Sequence, residues 1–159
     1  MKQFQTKDKG NGSAIVSTFS SVLLRFALGF SFLSAVADRF GLWGAFGKPH
    51  VAWGTFGRFV AYTAQLNWFL PRVTIPALAI LSTGAETILA ILLLLGWQTR
   101  IAALLSGVLL LSFAATMTGA LGIKAPLDLS VFSAAGGAFL LAGSTEYPFS
   151  VDLLRKTPS

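Results

Sequence analysis

Apolar residues run almost without interruption through four stretches of the chain, at 14–37, 73–96, 101–120 and 127–142. Each reaches or approaches the ~20 residues that a helix needs to cross a hydrocarbon core about 30 Å thick. Polar positions collect between and outside them. The pattern predicts an all-α fold, a polytopic membrane four-helix bundle. The segment 14–143 is then one transmembrane domain, preceded by a disordered polar head (1–13) and followed by a polar tail (144–159). A tight turn at Trp97-Gln98-Thr99-Arg100 makes the second and third stretches an antiparallel hairpin. The fourth is short and rich in small residues, from Ser133 to Ala138, which let helix backbones approach closely in lipid.

The first connection, 38–72, is long. Gly41, Gly44, Gly47 and Pro49 argue against helix as far as about Trp53. From Phe56 to Phe69 a helical period returns. Phe56, Phe59, Val60, Thr63 and Leu66 share one face, Arg58 and Gln65 take the other, and Pro71 ends the run. The loop is therefore expected to be an ordered cap over the bundle, carrying an interfacial amphipathic helix over 56–69 that lies on the membrane. Trp43, Trp53, Tyr62 and Trp68 fit an aromatic belt at the interface.

Two charges interrupt the apolar pattern near the middle of their stretches, Arg25 in the first and Glu86 in the second. A charge at the bilayer centre costs roughly 2.5–3.5 kcal/mol on insertion scales, so such residues are rare and are usually paired. Antiparallel packing of the two stretches is expected to bring Arg25 and Glu86 to the same depth as a buried charge pair. That pair has two readings: a lock on helix register, or a ligand-binding site for a headgroup, a quinone oxygen or a proton. Arg25, Gly29, Phe32, Val36 and Arg39 lie on one helical face. Arg39 follows Arg25 by 14 residues, about 21 Å of helix, which places it at headgroup level. Asp38 and Arg39, with Lys124 and Asp128 around the last turn, are expected to form a polar mouth above the pair. A lone loop histidine such as His50 is more often solvated than part of a site.

Composition narrows the function classes. Charged residues make up 11% of the chain, against about 25% in a soluble domain. The net charge of +6 would suggest nucleic acid in a soluble protein, but here the cations flank apolar segments and suit anionic membrane lipids instead. There is no cysteine, which excludes disulfides, iron–sulfur ligation and thioether-linked haem. No P-loop, dinucleotide glycine motif, HExxH or metal-holding carboxylate cluster is present. No metal site and no catalytic residue is assigned, and no self-contained enzymatic activity is expected. The first stretch imitates a secretory leader, with Ala35-Val36-Ala37 as a cleavage-like triplet, but it is long for a leader's apolar core and is expected to be retained. Four crossings put both ends on one side with Lys2, Lys7, Lys9, Arg100, Arg155 and Lys156. Arg39, Lys48, Arg58, Arg72 and Lys124 fall on the other. The excess favours cytoplasmic termini.

The order and spacing of several short motifs resemble the DoxX family. Leu23-Leu24-Arg25-Phe26-Ala27-Leu28-Gly29 resembles its opening signature. Gly84-Ala85-Glu86, the run Leu92-Leu93-Leu94-Leu95-Gly96 and then Thr99-Arg100 are similar to its second helix and turn. The 35-residue loop at 38–72 is longer than in many members. The segments 37–41 and 122–128 look like a long-loop branch of the family. The resemblance implies a four-helix protein of the bacterial inner membrane. Relatives include the membrane subunit of a thiosulfate:quinone oxidoreductase, which implies a quinone or lipid ligand and a redox partner protein. Three readings remain open from the sequence: an accessory membrane subunit binding a quinone or lipid, a membrane scaffold, and a small transporter acting as a homo-oligomer.

Overall fold

A computed structural model describes residues 2–156. Met1 and the last part of the expected polar tail, 157–159, lie outside the described residues. Among the described residues the chain is all-helical: α1 (Lys2–Arg39), α2 (Phe56–Leu66), α3 (Ile75–Leu95), α4 (Thr99–Leu121), α5 (Lys124–Asp128), α6 (Val131–Ala142) and α7 (Val151–Lys156), with a 3-10 turn at Arg72–Thr74 before α3. Three helical stretches, Ile15–Arg39, Arg72–Leu95 and Thr99–Leu121, are long and apolar enough to cross a membrane. Their outward faces carry Phe19, Leu23, Ile80, Leu81, Ile88 and Leu104, all exposed, as lipid contact requires.

α1, α3, α4 and α6 pack in sequence around a common core, α1 on α3, α3 on α4, α4 on α6 and α6 back on α1. Small side chains set the spacing. Ala79, Ala90, Ala102, Ala103, Ala114 and Ala138 are fully buried, and the Phe139 ring lies against Gly107. Backbones approach closely where no larger side chain intervenes, which is how helices gain dispersion energy in an apolar solvent.

Four boundaries differ from the expected ones. The expected disordered head is a continuation of α1 from Lys2 onward. No proline interrupts 2–13, and the helix continues through Gly10, Asn11 and Gly12 in spite of their weak helical preference. The expected fourth crossing is broken. Ser130 takes a left-handed conformation at φ 56°, dividing a one-turn α5 from a 12-residue α6. At 1.5 Å per residue α6 is roughly 18 Å long, well short of a full crossing by itself. The α2 helix starts where the period predicts but ends at Leu66, with Thr55 capping its first turn and Asn67 closing the last. It packs on α3 and α4, and Phe59, Thr63 and Leu66 are buried. Its apolar face thus meets protein where a membrane-surface contact is expected.

The fourth difference is the tail. Residues 144–150 fold back under the bundle. Tyr147 is buried and donates to Leu141 O and Ala142 O at 3.2 and 3.4 Å. Asp152, at the start of α7, accepts from Gln98 N (2.8 Å) and Thr99 N (2.7 Å), satisfying the free amides at the start of α4. Gly96 makes this junction possible. It closes α3 at φ 67°, and a Cβ there would lie 2.8 Å from Arg25 Nη2. Gly96→Ala combines left-handed strain with this clash and is expected to cost about 2 kcal/mol or more. Thermal unfolding in detergent checks this as a fall in Tm. An unchanged Tm would show that the junction is loose.

Candidate functional site

The buried charge pair exists, but its cation is Arg39. Arg39 is the last residue of α1 and is 2% exposed; Glu86 lies midway along α3 and is 1% exposed. Arg39 Nη2 donates to both carboxylate oxygens at 2.7 and 2.8 Å. Arg39 Nη1 donates to Thr83 Oγ1 at 2.8 Å, and that hydroxyl donates onward to Ala79 O at 2.8 Å. The guanidinium also sits against two rings of the long connection, 3.8 Å from the Phe59 centroid and 5.4 Å from that of Trp53. Such stacking stabilises a desolvated cation further. Removing water from both charges is costly, and this dense set of partners is what offsets it.

Arg25 serves a different purpose. It is fully buried, yet it donates only to backbone carbonyls: Nε to Leu93 O (3.1 Å), Nη2 to Leu94 O (3.3 Å) and Phe149 O (3.0 Å), and Nη1 to Pro148 O (2.7 Å). These carbonyls lie at the end of α3 and in the folded-back tail. Arg25 is therefore a clamp on the opposite end of the bundle, and the expected Arg25–Glu86 pair is not formed. The register explains why. Gly29 of α1 meets Leu94 and Ala90 of α3, so Arg25 lies opposite Leu93 and Leu94. Glu86 is eight residues from Leu94, about 12 Å away along the helix.

The expected polar mouth also divides. Asp38 is buried, and its Oδ2 accepts from Ala52 N (2.9 Å) and Trp53 N (3.0 Å), pinning the loop back onto the end of α1. Lys124 and Asp128 pair with each other across one turn of α5, both exposed. They do not join Asp38 or Arg39. His50 is exposed on the loop. Among the described residues no group of three or more metal-ligating side chains gathers.

Beside the Arg39–Glu86 pair lies a cavity of about 330 Å³. Its walls come from α2 (Tyr62, Leu66), the first half of α3 (Leu78, Ser82) and the second half of α4 (Phe113, Met117), with Arg39 among the lining residues. Small-molecule sites have this character, mostly apolar with a few placed polar groups. Two buried polar atoms nearby, Arg39 Nε and Asp38 Oδ1, have no hydrogen-bond partner among the described residues. The Tyr62 hydroxyl is held as a neutral phenol, since burial pushes its pKa above the ordinary tyrosine value.

Sequence reasoning placed Glu86 in the site. It missed the aromatic partners of Arg39, and it missed Tyr62 and α4 as walls. One signal was available: Arg39 shares a face with Arg25, so it must enter the bundle as Arg25 does. No family model matches this sequence, and no curated protein or solved structure matches it.

A double-mutant cycle separates the two arginines. Arg39→Leu or Glu86→Leu alone strands a buried charge and is expected to cost about 3–5 kcal/mol, while the double variant recovers much of that. Arg25→Leu and Glu86→Leu are expected to add within about 0.5 kcal/mol, as uncoupled sites do. Unfolding in detergent measures both. Strong coupling of Arg25 to Glu86 would contradict the geometry.

Proposed function

We propose that this chain is a DoxX-like integral membrane protein that holds a quinone or a lipid in the cavity under α2, as an accessory subunit to a redox partner protein. The observation that carries the proposal is the conjunction of an apolar cavity with a buried, ion-paired arginine at its edge. A structural ion pair alone needs no cavity, and an apolar cavity beside the pair offers a ligand dispersion contacts. The family resemblance supports a four-helix arrangement in the bacterial inner membrane, and the distribution of flanking lysines and arginines supports cytoplasmic termini. On that reading α6 crosses with the help of α5 and the turn between them.

The lining fits the head of such a ligand. At about 30 Å³ per water-sized group, the cavity has room for roughly ten non-hydrogen atoms, so a long tail would extend into lipid. Tyr62 and Arg39 can donate to oxygens on the head, and Leu66, Leu78, Phe113 and Met117 exclude water from it. A quinone, when bound, would supply two-electron redox chemistry. The chain's own part is to bind the ring, orient its oxygens and keep the site dry. The electron-transferring centres belong to the partner.

Native mass spectrometry of the purified protein, with organic extraction of what co-purifies, tests this. A stoichiometric quinone or single lipid is expected, and Leu78→Trp, which fills the cavity, is expected to lower its occupancy by about tenfold or more. Random bulk lipid in the wild-type protein, unaffected by Leu78→Trp, would overturn the proposal.

A further inference from the structure

The polar atoms around the cavity carry no net charge, since its one lining cation, Arg39, is paired with Glu86. Four serine and threonine hydroxyls line it: Thr63 on α2, Ser82 on α3, and Ser112 and Thr116 on α4. Each spends its proton on its own helix. Thr63 Oγ1 donates to Phe59 O (2.9 Å), Ser82 Oγ to Ala79 O (3.1 Å), Ser112 Oγ to Leu109 O (2.6 Å) and Thr116 Oγ1 to Phe113 O (3.0 Å). A hydroxyl whose proton is committed can offer only its lone pairs. These four therefore act as acceptors toward anything in the cavity.

The donors bring no uncompensated charge. The Arg39 charge is already balanced by Glu86, and both of its terminal nitrogens are occupied there and at Thr83. The remaining donors among the lining residues are Arg39 Nε, buried and unpartnered among the described residues, the Tyr62 hydroxyl, the Trp53 indole N–H and the second amide hydrogen of Asn67, whose first goes to Thr63 O. An incoming anion would meet a neutralised cation, a nearby carboxylate and a wall of oxygen lone pairs. It would also lose its hydration without a counter-charge, which is the dominant cost of burying an ion. An incoming ligand with its own hydroxyl meets acceptors on three helices, and a carbonyl meets the remaining donors.

We infer that the cavity selects uncharged amphiphiles whose polar end carries a hydroxyl or carbonyl oxygen, and rejects carboxylate and phosphate headgroups. This rests on the ligand-holding reading above and specifies the chemistry of that same site. Glu86 is the selectivity determinant: it cancels the one cation that would otherwise recruit an anion.

The test uses two probes with the same chain, oleyl alcohol and oleate, added to the full-length protein in mild detergent at alkaline pH, where the free carboxyl group is ionised. Native mass spectrometry reads the bound fraction of each, alone and in competition. The alcohol is expected to bind at least about tenfold more tightly. In Glu86→Gln the uncompensated Arg39 is expected to reverse or erase that preference by improving oleate binding. Ser82→Ala offers a milder check that leaves the ion pair intact: alcohol binding weakens several-fold and oleate binding does not. Oleate binding as tightly as the alcohol in the wild-type protein would overturn the selectivity while leaving the cavity as a ligand site. Binding of neither probe would overturn the ligand site itself.

Discussion

A guanidinium group buried in a helix bundle must find partners for its five N–H donors inside the protein, and α1 carries two such groups on one face. They solve the problem in different ways. Arg25 donates four bonds to carbonyls at the end of α3 and in the segment after α6. Arg39 takes a carboxylate, a hydroxyl and two aromatic faces. Because both sit on one rigid helix, 14 residues apart, satisfying them together fixes the position of α3 against α1, draws in the chain end, and anchors the long connection. Neither requirement can be met in another register without stranding a charge.

The site follows from where α1 stops. Its last residue, Arg39, reaches only the middle of α3, opposite Glu86. The first half of α3 and the second half of α4 would be left without a neighbour on that side. Asp38 turns the chain back by binding the amides of Ala52 and Trp53, and α2 then packs into the space beside α3 and α4. An 11-residue helix with a glycine and small polar residues fills that space incompletely, and the cavity is the remainder. Arg39, which positions α1 through its pairing with Glu86, thus also lies at the edge of the cavity.

Much of the architecture was legible from apolar periodicity. The long helices lie close to the expected segments, α2 begins at Phe56 as its period predicts, and Arg25 and Glu86 are both buried. What periodicity does not contain is axial register. It shows which residues share a face and is silent on how far one helix slides along another. Register here depends on contacts distant in sequence, such as Leu94 over Gly29 and Arg25 on Pro148. The residues 144–150 read as polar tail because nothing in their composition reveals that their carbonyls serve a buried arginine. Arg39 read as a headgroup-level cation because counting from Arg25 assumed that Arg25 marks the membrane centre. The break at Ser130 was hidden by a nearly continuous apolar run, since a single left-handed residue leaves no trace in hydropathy.

The central claim is that Glu86 is held by Arg39 and not by Arg25. The chain has only two glutamates, Glu86 and Glu146, so dipolar recoupling by solid-state NMR between ¹⁵N-labelled arginine side chains and ¹³C-labelled glutamate carboxyl groups reads the pair directly in lipid bilayers. The account predicts a strong short-range coupling that survives Arg25→Lys and disappears in Arg39→Lys. A coupling that survives Arg39→Lys and is lost in Arg25→Lys would contradict it.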